Sequence, residues 1–286
     1  MTNNYARLPD VLAELNAEGV SASAPRADVL RSIARASEMV RNETRRIFHT
    51  ETRTCYLDGN GKGVLWLQDV TQEPFRSDLV SVTSLKVDDD GDAVFELTLV
   101  HDTDYWLRPA NPTVTLQPAR GLEIVAGRTS VSQQVNAWPN KRRCIELVGK
   151  WGHSERTEDT GLTGTLADAS DTSITSIEGG DTETLVYPGD TLLIESEQVY
   201  VTAVSTTTVT VQRGVNGTTA AAHTAQAILL RRYPEDIERA VSGEAARWMW
   251  HAAGGYQSDL GGTPFSSRWP AIRDIINRYA AVTVPF

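Results

Sequence analysis

Apolar residues recur at helical spacing near the start of the chain. A first helix is predicted by the intervals of three or four residues between Tyr5, Leu8, Val11, Leu12 and Leu15. Pro9 suits its first turn and Gly19 its end. A second, longer apolar stripe follows Pro25 and reaches Phe48, which predicts a helix over about 26–48. The first fifth of the chain is therefore expected to be helical.

From His49 onward the apolar period changes from 3.6 to 2, which is typical of strands. Two turn signals, Asp58-Gly59-Asn60-Gly61 and Asp90-Gly91, lie between alternating stretches. Further short strands are predicted at 104–107, 122–124 and 144–148. This order of strands and turns predicts an antiparallel β-meander.

The composition changes after Trp151-Gly152, where Thr, Ser, Gly and acidic residues become frequent. Alternating Thr- and Val-rich stretches at 192–194, 199–202 and 208–211 predict a small all-β module. Helical spacing returns at Pro234 and predicts helices over about 235–253 and 270–279. The expected fold class is α+β, with a helical bundle packed beside the meander and a small all-β module inserted into it. The expected domains are a discontinuous core of residues 1–158 and 232–286, and an inserted module of residues 159–231.

Charge and composition narrow the classes of function. The chain has 286 residues and a formal net charge of −10, from 37 acidic and 27 basic residues. Tight DNA binding requires concentrated Lys and Arg to displace counterions, so a DNA-binding role is disfavoured. We expect neither a signal peptide nor a membrane span, since no apolar run reaches about 18 residues. Cys55 and Cys144 fit no zinc spacing and suit a reducing cytoplasm.

Candidate catalytic or metal-binding motifs are weak. The glycine-rich stretch 59–63 precedes a strand, which favours a hairpin turn over a phosphate cradle. Residues 88–92, with four Asp around one Gly, match a calcium loop incompletely, so a solvated turn is favoured. Glu195 and Glu197 share one face of a predicted strand about 7 Å apart, a spacing conceivable for a glycosidase but common on solvated faces. No histidine lies three or four residues from another in the list His49, His101, His153, His223 and His251. No catalytic, metal or cofactor site is expected.

Two segments are candidates for contacts with partners. The basic run Lys141-Arg142-Arg143 is interpreted as a solvated face or a source of intersubunit salt bridges, with Arg41, Arg45 and Arg46 as further members of one patch. The C-terminal segment after the last helix is apolar, and Pro285 stops a helix there. Its alternation favours an added strand that docks on another chain. The partner-binding candidates are Tyr279, Val282, Val284 and Phe286.

The order of several segments resembles the adaptor proteins of long-tailed bacteriophages, which form a ring beneath the portal. The resemblance rests on the segments ADVLRSIARASEMVRNETRRIF at 27–48, GVLWLQDV, VTSLKVDDDGDAVFELTLV, DYWLRP, CIELVGKWG at 144–152 and YPEDIERAV at 233–241. The resemblance covers roughly residues 1–153 and 231–286. The intervening GDTLLIESEQVYVTAVSTTTVTVQRGVNGTTAAAH at 189–223 is similar to a module that recurs in phage structural proteins.

The resemblance implies a structural virion protein assembled in the host cytoplasm, not an enzyme. Its implied partners are the portal protein, neighbouring copies in a ring of probably twelve, and a tail-side stopper or tail terminator protein. DNA would pass through the channel without tight binding, which an acidic subunit suits. Two alternatives stay open: a receptor- or carbohydrate-binding virion module, for which residues 161–230 offer only Tyr187 and Tyr200 as aromatic residues, and a virion-associated cell-wall hydrolase.

Overall fold

The computed structural model describes residues 3–17, 25–70, 78–110, 117–125, 136–153, 155–252 and 269–280. The fold is α+β, with mostly antiparallel sheets. The chain divides into two compact units, one formed by residues 1–45 and 156–286 and the other by residues 46–155. None of the described helices is long and apolar enough to cross a membrane.

The helices of the described chain are α1 (Leu8–Ala17), α2 (Arg26–Thr44), α3 (Leu67–Val70), α4 (Thr182–Leu185), α5 (Glu235–Ala252) and α6 (Trp269–Tyr279). The strands are β1 (Glu51–Leu57), β2 (Val64–Trp66), β3 (Leu79–Val87), β4 (Leu97–Leu99), β5 (Tyr105–Arg108), β6 (Gly121–Ile124), β7 (Ile145–Trp151), β8 (Arg156–Leu166), β9 (Ser173–Glu178), β10 (Thr191–Ile194), β11 (Glu197–Ser205), β12 (Thr208–Gln212) and β13 (His223–Arg232).

In the first unit, the long helices from the two ends of the chain pack on one another. The apolar stripe of α2 is buried, with Ile33 and Val40 fully covered, and so is the matching stripe of α5, with Ile237 and Val241. Helix α2 packs along α5, α1 contacts both, and α6 also contacts both. Helical periodicity therefore identified the buried faces, because one stripe of each helix must leave water.

Helix α2 ends earlier than its apolar stripe suggests. The sequence predicted a helix to Phe48, but Arg45 adopts the left-handed conformation (φ 54°, ψ 36°) and the helix stops at Thr44. Ile47 and Phe48 are buried although they are not helical. The predicted end was therefore wrong, because an apolar residue can be buried in an irregular segment as well as in a helix.

The first unit also contains a closed six-stranded barrel with the strand order β10-β11-β12-β9-β8-β13. The interior of the barrel is filled by apolar side chains, including Leu162, Ile174, Val201 and Ile228. The first and last strands pair so that Arg156 lies opposite Arg232. The small all-β module expected from the Thr- and Val-rich sequence is thus a barrel whose two ends meet.

The N-terminal residues bind to the barrel within this unit. Arg7 donates two hydrogen bonds to the buried carboxylate of Asp190, at 3.2 and 2.9 Å. Asn3 accepts a hydrogen bond from the Thr191 hydroxyl and exchanges hydrogen bonds with Asn216. These contacts connect the segment before α1 to strand β10 and to the loop after β12.

The second unit has two sheets, with the strand orders β1-β7-β3-β4 and β2-β6-β5. Each sheet buries one face in a common core, to which the first sheet contributes Leu85 and Leu147 and the second contributes Leu107 and Leu122. The strands are not arranged as a simple meander, because β7 lies between β1 and β3, and β1 and β2 belong to different sheets. Only β3–β4 and β5–β6 are neighbours in both chain and sheet.

The turn at Gly59 therefore carries the chain from one sheet to the other and is not the predicted hairpin. Gly59 donates its backbone N–H to the carbonyl of Lys141 at 2.8 Å. A Cβ atom at this position would lie 1.8 Å from the Pro139 carbonyl oxygen, so only glycine fits.

The beginning and end of the second unit lie side by side. Strands β1 and β7 pair with Glu51 opposite Trp151, and His153 donates its backbone N–H to the carbonyl of Ile47. In each of the two β segments of the chain, 46–155 and 156–232, the first and last strands are therefore paired with each other.

Candidate functional site

The predicted partner-binding residues fall mostly outside the described chain. Tyr279 is the last residue of α6 and is half-buried. Val282, Val284 and Phe286 lie outside the described residues, so docking by the C-terminal segment stays a prediction.

The acidic loop after β3 brings three carboxylates together. Oxygens of Asp88, Asp90 and Asp92 lie within 4.8 Å of one another. The buried carboxylate of Asp88 accepts the backbone N–H groups of Gly91 and Ala93, at 2.5 and 3.0 Å. Asp90 and Asp92 likewise accept N–H groups of their own loop. The backbone of the loop thus holds the three carboxylates in place.

Glu195 and Glu197 come together with His223 at one end of the barrel. Nδ1 of His223 lies 2.7 Å from Oε2 of Glu195, and Nε2 lies 2.9 Å from Oε2 of Glu197. The imidazole is buried between the two carboxylates. Both contacts are hydrogen bonds from the ring when both nitrogens carry protons.

Arg213 completes this cluster. Its Nε and Nη2 each donate to the Glu197 carboxylate at 2.7 Å, a bidentate pair. The backbone N–H groups of Gly214 and Ala221 donate to the same carboxylate. Burial alone would raise the pKa of Glu197, but the hydrogen bonds from Arg213, His223 and these amides outweigh it and lower the pKa to about 2.

The role of the cluster is structural, because each of its side chains is hydrogen-bonded to another member of the cluster. Glu197 holds the two ends of the loop 213–223, and Arg213 also donates to the carbonyls of Asp168 and Asp171. Glu195 has a left-handed backbone conformation (φ 51°) and lies in the turn between β10 and β11. The two glutamates therefore do not lie on one face of a strand, as the sequence suggested. A carboxylate whose pKa is about 2 has no proton to give at neutral pH, and its oxygens are shared among five nitrogen atoms of four residues.

A small polar cavity lies where the N-terminal segment meets the barrel and α5. Its volume is about 10 Å³, and its lining includes Asn4, Arg7, Asp190, Tyr233 and Glu238. This volume admits about one water molecule, so the cavity is too small for a cofactor.

One of the basic residues considered for a surface patch, Arg46, is not at the surface. Arg46 is buried and pairs with Asp78 at 3.2 Å, so it cannot belong to a solvent-exposed patch. Lys141 donates to the Asp89 carbonyl, and the Arg143 guanidinium lies 5.2 Å from the ring centre of Tyr56. The run 141–143 is thus engaged with loops and an aromatic ring of its own unit.

The most unusual surface in the second unit is the exposed face of the sheet β2-β6-β5. Trp66 and Trp106 are 44% and 42% exposed, whereas their chain neighbours Leu65 and Leu107 are buried. Trp66 covers Gly121 on the next strand, where a Cβ atom would lie only 2.9 Å from Cε3 of the indole. Large exposed aromatic residues are uncommon outside binding surfaces.

The sequence analysis did not single out Trp66 and Trp106, and it did not join His223 to the two glutamates. Period-2 alternation places Trp66 and Trp106 opposite Leu65 and Leu107, and that pattern was a usable signal. The partners of His223 are 26 and 28 residues away, so no local spacing indicates them.

No known family model matches this chain, and no curated protein matches it either.

Proposed function

We propose that this chain is a structural subunit of the head-to-tail connector of a tailed bacteriophage, an adaptor that forms a ring beneath the portal. The observation that carries the proposal is the packing of α2 against α5. Most of two segments that carry the resemblance, 27–48 and 233–241, lies in these helices, although residues 45–234 separate the helices in the chain.

The path of the chain between these helices supports the same proposal. Both β segments have paired ends, at Glu51–Trp151 and at Arg156–Arg232. A segment whose ends meet can be added to a helical core without separating the helices on either side of it. The arrangement suits a discontinuous adaptor core of residues 1–158 and 232–286, with the all-β module of residues 159–231 inserted into it.

The partners of the proposed subunit follow from its place in the virion. It contacts the portal above, neighbouring copies in a ring of twelve, and a stopper or tail terminator protein below. DNA passes through without tight binding, and the net charge of −10 suits this role because phosphate contacts would slow its passage. The protein assembles in the host cytoplasm and ends in the virion.

The test is to mix the purified chain with its portal and to image the complexes by negative stain. We expect an added ring below the portal. A matched control is the Val241→Asp variant, whose helical core is disrupted and which should add no ring. A correctly folded parent protein that adds no density to the portal would refute the adaptor role.

One observation favours the alternative of a carbohydrate-binding module. Exposed indoles on the outer face of a sheet suit stacking on sugar rings, and Trp66 and Trp106 provide them. Quenching of tryptophan fluorescence by a soluble cell-wall oligosaccharide, lost in Trp106→Ala, would support that function. The hydrolase alternative gains no support from Glu195 and Glu197, because His223 and Arg213 occupy them.

A further inference from the structure

The barrel has a hydrophobic core of its own. The apolar side chains of that core, among them Leu162, Val199 and Leu230, all come from residues 162–230, and among the described residues no side chain of the long helices belongs to it. A part of a chain with its own core keeps its fold when it moves relative to the rest. The barrel is therefore a separately folded body within the first unit.

The seam between the barrel and the helices, in contrast, is polar. The charged side chains of Arg7, Asp190, Arg231 and Glu238 line the cavity of about 10 Å³ at this seam. Asp190 directly precedes β10 and Arg231 lies in β13, whereas Glu238 belongs to α5. Relative motion of two folded bodies is the normal expectation unless their interface is large and apolar. The seam does not have that character.

A two-residue connection joins the barrel to α5. Strand β13 ends at Arg232, and Tyr233 and Pro234 lead to the first residue of α5. The Glu238 carboxylate accepts the Tyr233 backbone N–H at 2.8 Å and Nε–H of Arg232 at 2.9 Å. Because Glu238 holds this connection on α5, the connection is a fixed point about which the rest of the barrel can turn.

Residues 3–7, which we call the strap, attach the barrel a second time. At the first residue of the strap, Asn3 exchanges hydrogen bonds with the Asn216 side chain at 2.9 and 3.1 Å. At the last residue, Arg7 binds the buried Asp190 carboxylate through two nitrogen atoms, at 3.2 and 2.9 Å. Both ends of the strap are therefore held on the barrel by polar side chains.

The middle of the strap is bound to the helices. Tyr5 donates its backbone N–H to the Ser37 hydroxyl of α2 at 2.9 Å. The Tyr5 ring meets the Tyr233 ring edge to face, with the ring centres 4.9 Å apart. The strap thus joins α2 to the barrel at a place other than the covalent connection.

From this geometry we infer that the strap is a conformational device that decides the position of the barrel. While Asn3 and Arg7 are bound, the barrel is fixed against the helices at two places. When both side chains release it, the barrel stays folded and turns about the connection at Tyr233 and Pro234. The inference uses only contacts within the first unit and does not depend on the adaptor role.

The chemistry of the strap makes its release easier than unfolding of the barrel. Separation of Asn3 from Asn216 exchanges protein hydrogen bonds for hydrogen bonds to water, which changes the free energy little. Separation of Arg7 from Asp190 returns two charges to water, which offsets most of the lost attraction. Opening the barrel would instead expose its apolar core to water. The strap is therefore the part of this unit that opens first, and a partner that binds the released state more tightly would shift the barrel.

The first experiment measures the distance between the barrel and α2 in the full chain by pulsed electron paramagnetic resonance. Spin labels on ketone-bearing amino acids replace Thr207, in the β11–β12 turn, and Glu43, an exposed residue of α2, so that the two native cysteines stay unmodified. The parent should give one narrow distance distribution. The paired variant Asn3→Ala with Arg7→Ala should give a second population at another distance.

The matched control removes the same two residue types from exposed positions of the helices. The paired variant Asn16→Ala with Arg31→Ala leaves the strap intact and should keep the distance distribution of the parent. A single, unchanged distance in the Asn3 and Arg7 variant, or an equal change in the control, would overturn the inference.

The second experiment tests whether the barrel stays folded when the strap is released. In the Asn3 and Arg7 variant, the backbone amides of β11 and β12 should exchange their hydrogens with solvent as slowly as in the parent, because the barrel keeps its own core. Fast exchange throughout the barrel would show that the strap is part of the fold of the barrel, and that result would also overturn the inference.

A milder variant keeps the inference testable if the paired variant does not fold. Asn3→Ala alone preserves the ion pair of Arg7 with Asp190 and removes the hydrogen bonds to Asn216. It should give a smaller second population of the same distance, at an unchanged circular dichroism spectrum. A folded Asn3→Ala protein with only the parent distance at every temperature below its melting transition would contradict the proposed role of the strap.

Discussion

At the scale of single residues, burial determines the behaviour of the charged groups of the second unit. Asp78 is buried with Arg46 at 3.2 Å and Arg120 at 3.7 Å, and burial raises its pKa although both arginines act against this. His153 lies beside the Phe48 ring in the same unit. Burial, and then the charges of Arg46 and Arg120, lower the pKa of His153 to about 4.

His153 should make the unit sensitive to mild acid. In the unfolded chain the histidine takes up a proton near pH 6.5, whereas in the folded chain it does so only near pH 4. The unfolded state thus binds more protons in this window, and stability is lost as the pH falls from about 6.5 to about 4, by up to about 3 kcal/mol. Denaturant unfolding at several pH values measures the loss.

The His153→Gln variant isolates this contribution, because it cannot titrate while Asp78 and the other carboxylates still do. The difference in stability between parent and variant should shift by about 2–3 kcal/mol across that window. A difference that is independent of pH would contradict the assigned burial of His153.

In the barrel, the charged form of Glu197 stabilises the fold, whereas the charged form of His153 destabilises the second unit. Glu197→Gln keeps the shape but leaves Arg213 without its charged partner, and breaking such a buried pair costs about 3–5 kcal/mol. Thermal unfolding of the full chain measures the loss. Glu195→Gln is the control, because Glu195 is half exposed and contacts only His223 in this cluster, so its cost should stay below about 1 kcal/mol.

The sequence did not reveal these clusters for a physical reason. Glu197, Arg213 and His223 meet because the barrel closes, and Arg46 meets Asp78 because an irregular segment is buried next to β3. Such meetings depend on strand register and closure, which single-sequence patterns do not contain. The exposed Trp66 and Trp106, in contrast, follow from local alternation with Leu65 and Leu107.

At the scale of elements, periodicity located the helices and most strands but not their ends or their neighbours. The apolar stripe of α2 was confirmed for Ile33 and Val40, whereas its end at Thr44 depends on the single left-handed residue Arg45. The pairing of β1 with β7 joins residues far apart in the chain, and turn signals cannot indicate it. The acidic stretch that forms β8 and β9 is polar, so alternation was weak there.

Glycine substitutions at the end of α2 and within α2 should change the stability of the protein in opposite directions. Arg45 holds a left-handed conformation that costs a non-glycine residue roughly 1 kcal/mol, so Arg45→Gly should stabilise the protein by up to about 1 kcal/mol. Arg35→Gly, the same change on the exposed face within α2, should destabilise it by a similar amount. Melting temperatures that move in the same direction for both variants would show that the helix does not end at Arg45.

At the scale of the whole molecule, the first unit is built from both ends of the chain. Ile33 of α2 and Val241 of α5 are both fully buried in helices that pack together. The sequence anticipated this packing from two apolar stripes and a family resemblance, but the closure of six strands into a barrel was not predicted. Closure is a property of the complete set of strands, since it removes the free edges of all of them together.

The joint core predicts a large cost for a charge at either helix. Val241→Asp would bury an unpaired carboxylate and should destabilise the first unit by several kcal/mol, about 3 or more. Arg239→Asp introduces the same residue at an exposed position of α5 and serves as the control. Equal melting temperatures for Val241→Asp and the parent would show that α5 does not pack in this core.

The last prediction concerns association of the full chain in the absence of the proposed portal partner. We expect a largely monomeric chain at micromolar concentration, because copies with a net charge of −10 repel one another. Salt screens repulsion between exposed charges over about 8–10 Å, so raising the salt concentration should strengthen self-association, whereas a contact held by surface ion pairs would weaken. Sedimentation velocity at low and high salt measures both. In the proposed assembly, each copy bound to the portal raises the local concentration of the next, and the ring should close at protein concentrations at which free copies stay apart. A stable ring at micromolar concentration without the portal, or association that weakens with salt, would contradict this account of assembly.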